Sequence, residues 1–111
     1  MLLAGLFGNE SAEKALLYIQ NYGSGYPRGI SLTFDVPVSQ IQRQLERLER
    51  EGIHASRLVG KTREYRSNPR YMFRNELSAL LAKALESLPG EYQKKYFRAR
   101  TRPRRAGKPL P

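Results

Sequence analysis

Apolar and polar positions along this chain follow a helical period, shift to a shorter one, and then return to it. Ala12, Ala15, Leu16, Ile19 and Tyr22 recur at helical spacing, which predicts a helix over residues 10 to 22, with Asn9 to Ser11 supplying capping groups. The segment YGSGYPRG, with three glycines and a proline, breaks it. In GISLTFD, residues 29 to 35, Ile30 and Phe34 stand one turn apart. That suits a helix of about two turns, although its threonine and phenylalanine also suit a strand.

The clearest helix is expected over residues 37 to 51. Pro37 fits its first turn, and Ile41, Leu45 and Leu48 make one apolar stripe with Val38 at the edge. Gly52 stops it. The far side carries Ser39, Arg43, Glu46, Arg47 and Arg50, flanked by Gln40 and Gln42. Over residues 53 to 69 the period shortens. Leu58, Val59 and Tyr65 lie in two extended runs around Gly60-Lys61, the pattern of a hairpin closed by Asn68-Pro69. Tyr65 is expected in the core, against Leu58 and the preceding helix. From residue 71 to 88, Phe73, Leu77, Leu80, Leu81, Ala84, Leu85 and Leu88 restore the helical stripe, and Pro89-Gly90 ends it. The opening MLLAGLFG reads as a small docking helix.

Composition bounds these elements to one domain, residues 1–90, with a basic C-terminal extension, residues 91–111. No run of about 18 apolar residues suggests a membrane span, and the absence of cysteine excludes disulfides and thiolate metal sites. The net charge of +10 is unevenly spread. Eight basic residues and no acid fall between Lys94 and Pro111. The first 93 residues keep the other 12 of the 20 basic residues against 10 acids, a net of +2. Partners must therefore be argued from where the basic residues stand, not from the total. From Thr101 on the tail has little to bury and is expected to be disordered. Tyr92, Tyr96 and Phe97 would either extend the last helix or stack on single-stranded bases.

The stretches FDVPVSQIQRQLERLEREG and RLVGKTREYRSNPRY resemble the recognition helix and wing of winged helix-turn-helix DNA-binding transcriptional regulators of the ArsR/MarR-like kind. The resemblance spans roughly residues 5 to 88. It implies a mainly α fold with a small β-hairpin, and double-stranded DNA as the partner of a homodimer formed through its N-terminal and C-terminal helices. The location implied is the cytoplasm, in association with the nucleoid. Ser39, Gln40, Gln42 and Arg43 would then read bases in the major groove. Arg47, Arg57, Lys61, Arg63 and Arg66 would hold the backbone. Two departures stand out. Asp35 occupies the turn where a glycine is usual, and His54 is the sole histidine available for the metal sensing of some relatives.

The chemistry fits that implication. Serine and glutamine side chains bond base edges, arginine pairs bidentately with guanine, and hairpin cations neutralise phosphates without discriminating sequence. The bland alternative is a solvated outer face. Two other classes compete: a protein-interaction adaptor of the toxin-antitoxin or nucleotidyltransferase-associated kind, and an RNA binder using the basic tail. An enzyme is not expected. GSGYPRG lacks the Gly-Lys-Ser/Thr ending of a phosphate loop, no acid pair or nucleophile–base set has suitable spacing, and neither cofactor nor metal is implied.

Overall fold

Asn9 sets the start of the central helix: its side-chain oxygen accepts the Ala12 N–H at 2.7 Å. A computed structural model describes residues 2–97; the disorder expected from Thr101 lies outside them. In chain order the elements are α1 (Ala4–Phe7), α2 (Glu10–Tyr22), α3 (Pro27–Phe34), α4 (Val38–Arg50), β1 (His54–Val59), β2 (Thr62–Ser67), α5 (Arg74–Ser87) and α6 (Gly90–Tyr96). The fold is mainly helical with one two-stranded antiparallel sheet. No described helix is long and apolar enough to cross a membrane.

α2 is the hub, packed against α1, α3, α4, α5 and β2. Its Ala15, Leu16, Leu17 and Ile19 meet Ile30 and Phe34 of α3, the Ile41–Leu45–Leu48 stripe of α4, and Leu81 and Ala84 of α5 in one core. Burying each large aliphatic side chain of the stripe contributes roughly 1.5–3 kcal/mol, so α4 is fixed by its underside. Leu3 and Phe7 dock α1 onto the same core, while Leu2 and Leu6 stay exposed.

Helix α3 begins at Pro27, two residues before the expected start, because proline's fixed φ suits a first turn. It ends at Asp35, which takes the left-handed conformation (φ 56°, ψ 51°) and returns its N–H to the Ser31 carbonyl. Aspartate tolerates this geometry better than most residues, and it lets α3 pass into α4 within three residues. At the start of α4, Pro37 serves as the N-cap rather than as part of the first turn.

The hairpin turns at Gly60-Lys61, and the two-residue loop fixes the register: Val59 faces Thr62, Arg57 faces Glu64, and His54 faces Ser67. Asn68 ties off the foot, giving its N–H to the Ile53 carbonyl and its side-chain amide to the Gly52 carbonyl. One further backbone pairing had no sequence signal: Gly25 and Tyr65 exchange both N–H groups, at 2.9 and 2.8 Å. That single bridge staples β2 to the loop ahead of α3.

Three details differ from the sequence reading. Residues 71–73 form a turn, not the first turn of α5. Phe73, at 55% exposure, stacks edge-on against Tyr71 instead of joining the core. Leu58 is 63% exposed although Tyr65 is buried at 3%, because the hairpin projects past the body before Leu58 is reached. Gly90 begins α6 as well as following α5. α6 delivers Phe97 into the core, where its carbonyl accepts the buried Asn21 amide and its ring joins Phe34 and Tyr96. The packed body thus runs seven residues beyond the boundary expected at residue 90.

Candidate functional site

The stripe that buries the underside of α4 turns its other face outward. Ser39, Gln40, Gln42 and Arg43 are all exposed on consecutive turns. Gln40 is partly engaged: its side-chain oxygen accepts the Ser11 hydroxyl at 3.2 Å, at the start of α2. Gln42 and Arg43 make no side-chain hydrogen bond or ion pair with other described residues. Arg47 is half-buried and lies back along the helix, its Nε donating to Gln44 Oε1 at 3.0 Å.

The strand register sorts the hairpin cations. Side chains alternate across a strand, so His54, Ser56, Leu58, Arg63, Tyr65 and Ser67 share one face of the ribbon. Ala55, Arg57, Val59, Thr62, Glu64 and Arg66 share the other. The first face is turned to the body: Tyr65 is buried, and the Ser56 hydroxyl donates to Glu49 of α4 at 2.5 Å. Arg63 lies on this face, its Nη1 donating to the Ser56 hydroxyl at 3.1 Å. Arg57 and Arg66 point the opposite way. Arg57 is also neutralised by Glu64, its cross-strand neighbour, at 3.0 Å.

A cleft of about 350 Å³ therefore opens between the outer side of α4, the inner face of the hairpin and the start of α3. Gln42 and Glu46 come to it from α4, Lys61 and Arg63 from the hairpin, and Arg28 from α3. Of the nine residues singled out in the sequence, three line this cleft: Gln42, Lys61 and Arg63. Ser39, Gln40 and Arg43 continue along the same helix beyond it. Arg57 and Arg66 are on the wrong face of the ribbon to join them. Arg28 was missed because it stands inside a segment that reads only as a break. Its signal was its place directly after Pro27, in the first turn of a helix.

Electrostatics inside the cleft are mixed. Burial first, then the carboxylates of Glu49 and Glu46, push the Tyr65 phenol above its ordinary range, with Arg63 opposing. The phenol stays protonated near neutrality and is a donor there. His54 is elsewhere, at the hairpin foot: only 3% exposed, with its Nδ1 buried and without a hydrogen-bond partner. Burial pushes its pKa down to about 4. Among the described residues no group of three or more potential metal ligands converges. Comparison of the chain with known protein families, curated proteins and solved structures finds no match.

Proposed function

We propose that the chain is a sequence-selective, double-stranded DNA-binding transcriptional regulator of the winged helix-turn-helix type. α4 enters the major groove and the hairpin acts as a wing on the backbone. The observation that carries this reading is the cleft between α4 and the hairpin. It sets the hydrogen-bonding side chain of Gln42 beside the cations Lys61, Arg63 and Arg28, the last from a different element. Arg43 and Gln42 are unengaged donors on a helix whose underside is anchored, the arrangement base readout requires. Lys61 and Arg63 supply phosphate contacts from the side, with little sequence discrimination. Arg57 and Arg66, facing away, contribute only to the long-range field.

A homodimer would double the site. Leu2 and Leu6 around α1, and Leu80 on α5, leave apolar surface on the N-terminal and C-terminal helices that would pair. The test is selection of bound duplexes from a random pool with the full chain. An enriched motif, lost when Gln42→Ala and Arg43→Ala are combined, supports the reading. A pool that stays random refutes it. One observation favours a second reading: Met72 and Phe73 are 82% and 55% exposed at the turn before α5. That suits a protein-docking adaptor, which would yield no enriched motif.

A further inference from the structure

A second cleft, of about 290 Å³, lies between α2, α5 and the foot of the hairpin, on different residues from the first. Ile19, Leu77 and Leu81 give it an aliphatic wall, and His54, Arg74 and Ser78 give it polar groups. The volume equals the liquid share of roughly ten waters, at the lower edge of small-molecule sites.

Its charge is one-sided: among the described residues Arg74 lines it and no carboxylate does. Arg74 is exposed, so it stands at the opening, and it has no ion pair among the described residues. Ser78 presents a hydroxyl, already held in place by the Gln20 amide at 3.1 Å, whose own proton remains to be donated. His54 is the independent sign of a ligand. Its ring is almost wholly buried against this cleft, with Nδ1 unpartnered. An unpaired buried nitrogen is costly and rarely kept without a use. Two-fold freedom about χ2 allows a half-turn of the ring to bring Nδ1 to the position now held by Cδ2. The neutral ring carries one N–H. Arg74, the Ser78 hydroxyl and the ring N–H of His54 can each donate, so an acceptor would suit them together, and Arg74 favours one that is negatively charged.

We infer that this cleft binds a small monocarboxylic acid with a compact aliphatic body, its carboxylate toward Arg74 and its body against Leu77 and Leu81. Ser78 and the His54 ring complete the donor set around the carboxylate. The site does not depend on the nucleic-acid reading, since none of its residues lies on α4 or at the hairpin tip.

Cyclohexanecarboxylate is a suitable probe, titrated into the full chain at constant ionic strength and followed by carbon and nitrogen NMR. Saturable shifts are expected at the His54 ring, Ser78 and the Leu77 and Leu81 methyls. Arg74→Gln should weaken binding about tenfold or more, as expected when a charge-assisted hydrogen bond is removed. The neutral cyclohexanecarboxamide should bind more weakly than the acid and be indifferent to Arg74→Gln. A second variant, Ser78→Leu, fills the cleft and should abolish both. Shifts that never saturate, an acid that binds Arg74→Gln as well as it binds the native chain, or binding that survives Ser78→Leu would each overturn the inference.

Discussion

Arg63 and Arg66 offer a contrast that composition cannot supply. They are the same residue on the same strand, three positions apart, and both are exposed. The register puts them on opposite faces: Arg63 lines the cleft beside α4, whereas Arg66 pairs with Ala55 on the outer side. If the duplex lies against α4 and the inner face of the hairpin, Arg63 meets a phosphate and Arg66 does not. Removing one neutralised phosphate lowers the slope of log affinity against log salt by about 0.9. Over a fourfold rise in salt, one such phosphate then amounts to a factor of about 3.5 in affinity. Arg63→Ala should reduce the slope by about one unit, and Arg66→Ala by a small fraction of that, since it alters only a screened long-range field. The assay is fluorescence anisotropy of a selected duplex over a salt series, with circular dichroism confirming that both variants stay folded. Equal slopes for the two variants, or a larger effect from Arg66, would refute the assignment of the inner face.

Three further outcomes follow from the packing. A Cβ on Gly25 would sit 2.9 Å from the Tyr18 ring and 3.0 Å from Ile30 Cδ1, so Gly25→Ala should destabilise by about 1–3 kcal/mol in urea denaturation. His54 is neutral in the folded chain, with a pKa of about 4 against an ordinary 6.5, so the unfolded chain binds the extra proton. The stability this confers is complete above pH 6.5 and falls away as pH drops from there to about 4, by roughly 3 kcal/mol; His54→Gln should remove that part of the pH dependence, read as the difference between the two denaturation series. Deleting residues 98–111 removes six basic residues and should weaken duplex binding while keeping the selected motif, whereas a deletion starting at Lys94 takes the buried Phe97 with it and should unfold part of the core, visible in near-ultraviolet circular dichroism.

Much of this arrangement was legible where a local signal and a burial pattern agreed. Asn9 as cap and the Ala15–Leu16–Ile19 stripe set α2 at its expected bounds. The stripe of α4 made its outer face readable before any tertiary packing was known. The hairpin tip was equally clear, and the register it fixes would have paired Arg57 with Glu64 and split Arg63 from Arg66. What failed depended on distance in space. Phe73 continues the apolar spacing of α5, yet it lies in the turn just before that helix. Leu58 shares a face with Tyr65, but nothing in the sequence says that the body ends between them. Gly25 meets Tyr65 across 40 residues through backbone alone, which no side-chain pattern records. Phe97 owes its place to Asn21 and Phe34, far away in the chain. Arg28 enters the cleft only because α3 begins two residues early.

The chain contains no cysteine, so a single cysteine can carry a hydroxyl-radical-generating iron chelate without background labelling. Glu46 is exposed on the outer side of α4 and lines the cleft, while Glu86 is exposed on α5. With the chelate at Glu46→Cys, bound to a selected duplex, strand cleavage should fall on a few adjacent bases inside the motif, and with it at Glu86→Cys that cleavage should be absent. Complexes that form but are cut equally from both positions, or only from position 86, would mean that α4 does not lie in the groove.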